Sequence, residues 1–242
     1  EVGEVVQTDW WQEREFDSMF FAPGMFVSGS PRDMSASLST PKAAAMTQSL
    51  KVIATALPDP APLDKAPVSR LEIPGLTVDR IRTRLEAEPF LWERVFREDV
   101  KASDITPSMW QEGTRIPGTK IRGCKFKMPI PADVPGFIKK MVSIPELADV
   151  RALFRMRCGT DRVDVVEQTI ALGVPMGDAF RVQVTHSFVP GAQGVVYSKW
   201  VDVVWLKSLM GLIKSYITQT SENSARNGAE VLKQALMAEC SA

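Results

Sequence analysis

The sequence predicts an α+β domain in which a curved antiparallel sheet wraps around one long C-terminal helix. Three observations predict it. Residues 173–207 hold a Gly/Pro turn, an alternating strand, a Pro-Gly turn and a second long strand. An amphipathic pattern follows at once and runs from about 208 to 237. Upstream, short alternating runs between turn residues read as further strands. A sheet gripping a helix leaves room for an internal cavity. Such a cavity without an evident catalytic set points to carrying a lipid rather than to chemistry.

The elements follow in chain order. Residues 1–67 read as an N-terminal arm and linker, and 68–242 as the folded domain. Trp10, Trp11, Phe16, Met19, Phe20, Phe21 and Phe26 cluster in the arm. They fit either a segment docked on the domain or one that binds a partner or touches a membrane. Residues 22–67 are rich in Pro, Ser and Ala, the run Pro58-Asp59-Pro60-Ala61-Pro62 cannot continue a helix or a central strand, and 24–67 read as linker or loosely packed arm. Alternation over Ser69-Arg70-Leu71-Glu72-Ile73 predicts the first strand, and Pro74-Gly75 turns the chain. Thr77 is the expected N-cap of a helix through Leu85, with Val78, Ile81 and Leu85 on one face. Pro89 opens a second helix bearing Phe90, Leu91, Val95 and Phe96. Residues 101–108 read as a polar link to Trp110, and 118–128 as a strand.

Strands over 151–158 and 162–172 flank the hairpin turn Gly159-Thr160-Asp161. In 179–189, Phe180, Val182, Val184, His186 and Phe188 share one face; Arg181, Gln183, Thr185 and Ser187 share the other. The strand over 194–206 is apolar on both sides, so it is expected to be covered on both. The last helix carries Leu209, Leu212, Ile213, Tyr216, Ile217, Val231, Leu232, Ala235 and Leu236 around a small, polar middle at 221–229. Gly228 in that middle costs about 1 kcal/mol relative to Ala. The stretch is either a frayed or kinked mid-helix or a thin segment that leaves room for a ligand.

Composition narrows the function. Lys+Arg and Asp+Glu both number 29, so net charge gives no bulk attraction to nucleic acid or anionic membrane. No nucleic-acid partner is expected, and no protein partner can be named. Cys124, Cys158 and Cys240 fit neither a disulfide framework nor a zinc site and suit a reducing compartment. The chain starts at Glu1 with no signal-peptide pattern, and the missing Met suggests a fragment or a processed chain. No window of about 18 uncharged apolar residues occurs; residues 194–213 come nearest, interrupted by Lys199, Asp202 and Lys207.

At Val174-Pro175-Met176-Gly177-Asp178-Ala179-Phe180-Arg181-Val182 the sequence resembles the VASt family, the StART-like (helix-grip) domains of Aster/Lam-type proteins and their plant relatives. Met176 stands where the family's segment has an aromatic. The likeness continues through 201–207 into the helix, and Trp110 and Arg115 resemble earlier landmarks. It covers about 68–237, without 129–150; the GRAM domain and membrane anchor of many members are not visible. The resemblance implies a helix-grip fold and a sterol or similar lipid as ligand; it does not imply catalysis. Through lipid transport it implies a cytoplasmic protein acting at membrane contact sites as part of a larger anchored chain.

Candidate site residues follow. The expected cavity wall is Phe180, Val182, Val184, His186, Val201 and Val203, or the opposite set on the same strands, with Ile217, Ser221 and Ser224 from the helix. A one-residue register shift inverts which face points inward. Residues 129–147, with prolines at 129, 131, 135 and 145, resist regular structure. Phe137, Ile138, Met141 and Val142 around Lys139-Lys140 suit a lid on an anionic membrane or a loop packed on the sheet. No catalytic set, metal site or cofactor motif stands out: the single histidine, His186, reads as a packed or wall residue, with an enzyme's acid–base residue as the alternative. Asp161, Asp164 and Glu167 read as a solvated hairpin edge. Two other functions stay open: a helix-grip cyclase or hydrolase on a hydrophobic substrate, and a ligand-free interaction scaffold.

Overall fold

The computed structural model describes residues 57–130 and 145–240. The aromatic arm and residues 137–142 lie outside that range. The elements are strand β1 (Ser69–Pro74), helices α1 (Val78–Glu86) and α2 (Leu91–Asp99), then strands β2 (Ser103–Pro107), β3 (Gln111–Glu112), β4 (Thr119–Pro129), β5 (Leu147–Cys158), β6 (Val163–Leu172), β7 (Phe180–Pro190) and β8 (Gly194–Trp205), and helix α3 (Gly211–Cys240). The strands form one curved sheet in the order β1-β8-β7-β6-β5-β4-β2, with β3 also on β4. Every pairing is antiparallel. This is the expected α+β helix-grip architecture.

Local chemistry explains the boundaries. Gly75, at φ +74°, makes the turn after β1 that a side chain would strain. Thr77 then caps α1, its hydroxyl accepting from the Arg80 N–H at 3.2 Å. Val78, Ile81 and Leu85 are the buried face of α1, and Leu91, Trp92, Val95 and Phe96 that of α2. The concave side of the sheet takes these faces. Phe90 and Trp92 each stand 5.2 Å from Phe154 of β5, and Phe96 stacks on Phe126 of β4 at 4.5 Å. Helix α3 lies along α2, α1, β8 and β1 and contributes Ala229, Leu232, Ala235 and Leu236 to the same core.

Three local readings need correction. The presumed polar link 101–108 contains β2, a short edge strand on β4. Its exposed Ser103, Asp104 and Thr106 need no apolar alternation, so pattern could not reveal it. β5 begins at Leu147 rather than 151, because its ladder with β4 runs to the Pro129–Leu147 pair. The polar middle of α3 is not frayed, for the helix is continuous from 211 to 240.

The Pro-rich run before β1 is tied to the sheet. Arg157 of β5 makes a two-pronged ion pair with Asp59, at 2.7 and 2.8 Å. The Trp200 indole N–H donates to the Lys65 carbonyl, and the Lys65 ammonium donates to the Val201 carbonyl, both at 2.8 Å. These bonds cover Trp200 on the outer side of β8, whose inner side faces the core.

Candidate lipid-binding cavity

A cavity of about 450 Å³ lies between the sheet, α2 and α3, within the roughly 300–1,000 Å³ usual for small-molecule sites. The strands supply its walls by alternation. β7 presents Phe180, Val182, Val184 and His186; β6 presents Glu167, Thr169 and Ala171; α2 presents Trp92, Val95, Phe96 and Asp99. The open end is marked by exposed Lys101, Pro129 and Ser224 and by half-buried Met128 and Phe180. The far end runs into the core at His186, Lys199 and Leu232.

Helix α3 makes room for this space through small side chains. Ser221, Ser224, Ala225 and Gly228 face the cavity before Leu232 closes the row, at the three- and four-residue steps of one helical face. Gly228 is required by close approach. A β-carbon there would stand 2.6 Å from Asp99 Oδ2 and 3.1 Å from Lys199 Nζ. The thin middle of the helix therefore has a packing cause.

Of the expected wall residues, the structure brings Phe180, Val182, Val184, His186, Ser221 and Ser224 to the cavity. Val201, Val203 and Ile217 are not among its lining. Val201 instead packs with Val184 and Ala225 in a small apolar cluster. Phe137, Ile138, Lys139, Lys140 and Met141 lie outside the described residues, although Pro129, just before their segment, lines the cavity.

The closed end is polar, which sequence reasoning missed. In the ladder, His186 of β7 stands opposite Lys199 of β8, and Val184, two residues before His186, stands opposite Glu167 of β6. All three side chains point inward and are at most 7% exposed. Asp99, at the end of α2, completes the set from the facing layer. Glu167 is thus no solvated edge. It stands six residues past the hairpin turn, where the curved sheet has carried the strand under the helices. Lys199 did carry a sign: it is the one charged residue in the inward row Val195, Tyr197, Lys199, Val201, Val203 of a strand covered on both faces.

Charges in this end are strongly perturbed. Burial holds His186 below its ordinary pKa, with Lys199 adding to the effect and Glu167 opposing it. Burial lowers Lys199 too, against the attraction of Glu167 and Asp99. Burial raises Asp99, countered by Lys199. The Tyr197 hydroxyl, pushed well above 10.0 by burial, stays protonated and sits 2.9 Å from His186 Nδ1. The phenol and Nδ1 are hydrogen-bonded to one another. Trp92 meets the same ring edge-on, 5.5 Å between centroids. His186 Nε2 lies 3.7 Å from Glu167 Oε2, too long for a hydrogen bond, and has no hydrogen-bond partner.

Other candidates for chemistry fall away. Cys124 is buried, and burial pushes its thiol to about 12, so it is no nucleophile near neutral pH. Among the described residues, no cluster of His, Cys, Asp or Glu is placed to hold a metal ion. No helix among them is long and apolar enough to cross a membrane.

A cavity held between a sheet and its gripped C-terminal helix is the hallmark of StART-like lipid-binding domains. The model of the VASt family, described as VAD1 Analog of StAR-related lipid transfer domain, matches residues 77–224. The chain belongs to that family, a lipid-binding family not known as catalytic. The match runs from the cap of α1 to the cavity-facing Ser224 and so encloses most of the cavity wall. No curated protein matches the chain.

Proposed function

We propose that this protein binds a sterol, or a lipid of similar size, in the cavity under α3 and moves it between membranes without chemical change. The observation that carries this reading is the cavity itself. It has largely apolar walls, it opens at one end, and most of its lining lies inside the region matched by the family. Burying a lipid's apolar surface yields about 25 cal/mol per Å². The lipid gives up similar burial on leaving a bilayer, so net transfer stays near neutral and reversible. The membrane contact is proposed for Phe137, Ile138, Lys139, Lys140 and Met141, whose segment leaves the sheet at Pro129 beside the opening.

Native mass spectrometry and solvent extraction of the purified chain test this directly. A co-purifying or stoichiometrically reloaded sterol is the expected result. Protein that stays lipid-free when offered sterol and phospholipid vesicles would overturn it. A second reading has a specific observation in its favour: His186, a residue type suited to acid–base catalysis, lines the cavity. Turnover of a hydrophobic substrate, lost in His186→Ala, would favour that enzyme; unchanged lipid recovered from the protein favours transport.

A further inference from the structure

Among the described residues, the large apolar side chains that stand exposed are Met109, Leu147, Met210 and Leu212, at between 48% and 71%. Three of these four lie at the open end of the cavity. In the antiparallel sheet β5 begins, and β4 and β8 end, on the same side. Leu147 pairs there with Pro129, which lines the cavity. Met210 and Leu212 sit where β8 turns into α3, and the next turns of that helix bring Thr220, Ser221 and Ser224 to the cavity. Single exposed apolar residues need no explanation, but several at the mouth of an apolar cavity mark a surface that something else covers.

The β8–α3 corner is well anchored and continuous with the cavity wall. The N–H groups of Leu206 and Lys207 both donate to the Ala179 carbonyl, at 2.8 and 3.1 Å. The Trp205 ring lies 5.8 Å from that of Phe180, a wall residue. The Lys214 ammonium stands 5.3 Å from the centre of the Trp205 ring. Ile213 is buried and holds the first turn of α3 inward, while its neighbour Leu212 is 71% exposed.

We infer that the corner 205–214 docks on the surface of a phospholipid bilayer, with Met210 and Leu212 entering the acyl boundary and Trp205 and Lys214 at the level of the head groups. This inference rests on the lipid-transfer reading and adds the surface by which the open end meets a membrane. An indole carrying a lysine on its ring is amphipathic in the way that suits the interface, apolar body inward and charge toward water. The first turn of α3 holds no acidic side chain, so its positive end is compatible with lipid phosphates.

Magnitudes decide which lipid feature matters most. Around the opening, Lys101, Lys127, Lys207 and Lys214 stand against Asp149, Glu146 and Asp178, which leaves an excess of one positive charge. Lys207 is paired with Asp178. One such lysine near an anionic surface is worth about fivefold in affinity, whereas each large apolar side chain taken out of water is worth about tenfold or more. Apolar insertion therefore leads, and neutral bilayers are bound as well as anionic ones. Two protruding side chains are few for a stable protein interface, which takes some 20–30 residues a side.

The test uses the purified full chain with phosphatidylcholine vesicles, with and without phosphatidylserine. The native chain is expected to bind both, about fivefold more tightly with the anionic lipid. Amide exchange over 205–214 is expected to slow when vesicles are added. Met210→Ser with Leu212→Ser should weaken vesicle binding and slow lipid transfer by about tenfold or more. Sterol binding in detergent should stay at the native level, because neither residue lines the cavity. Unchanged vesicle affinity in the folded double variant overturns the assignment, as does exchange that slows elsewhere but not over 205–214. A lipid-free dimer that the double variant abolishes would give the corner to a second copy of the chain and overturn it too. Sterol bound in detergent by a native chain that ignores both vesicles overturns the docking surface and leaves the lipid-binding reading standing; failure of both overturns both. Should the variant fail to fold, amide exchange on the native chain still decides.

Discussion

His186 shows how much a single side chain can couple pH to this fold. Burial holds its folded pKa below the 6.5 of an unfolded chain. As pH falls through about 6.5, the unfolded chain takes up a proton that the folded chain refuses. Stability therefore falls with falling pH, by at most about 1.4 kcal/mol per pH unit, until the folded ring itself protonates. Denaturant unfolding between pH 7.5 and 5 is expected to show this slope, and His186→Gln is expected to flatten it. Parallel curves for the two proteins would show that the loss comes from other groups. The histidine was visible in the sequence as an inward wall residue. Its partners were not, because Tyr197 and Glu167 reach it only through strand register, which side-chain alternation leaves undetermined.

At the scale of elements, legibility followed exposure. β7 and β8 stood out because each is long and each has an inward row that is apolar apart from one residue, His186 in β7 and Lys199 in β8. α1 was marked by a Thr cap and three apolar positions on one face. β2 and β3 escaped because short, polar edge strands carry no periodic pattern. The small middle of α3 was ambiguous in sequence; the structure gives it a cause in Gly228, which lies against Asp99 and Lys199. The same face offers a test of the cavity. Ser224 borders it yet is exposed, so a larger side chain has somewhere to go. Ser224→Trp is expected to leave stability within roughly 0.5 kcal/mol, as for most surface changes. Lipid affinity should drop about tenfold or more, because the indole occupies space the ligand needs. Native affinity in a variant with an unchanged circular dichroism spectrum would place the ligand elsewhere.

For the whole molecule, the balance of 29 basic and 29 acidic residues means that any membrane attraction must be local. The cavity sets where such a locality is useful, since a lipid must pass an opening that Lys101, Pro129 and Ser224 border. Next to it, the β4–β5 ladder ends at the Pro129–Leu147 pair, and the Ile130 N–H donates to the Glu146 carbonyl at 3.0 Å. The intervening chain carries Lys139 and Lys140 among apolar residues. Each lysine near an anionic surface contributes about 1 kcal/mol, and reversing both removes this and adds repulsion. Lys139→Glu with Lys140→Glu is therefore expected to slow transfer between anionic liposomes by about tenfold or more at low salt. The difference should shrink as salt screens the surface. Equilibrium binding in detergent should not change, because no anionic surface is present for the lysines to meet. A variant that transfers at the native rate at both low and high salt would show that the segment takes no part in docking, and the membrane contact would have to lie elsewhere around the opening.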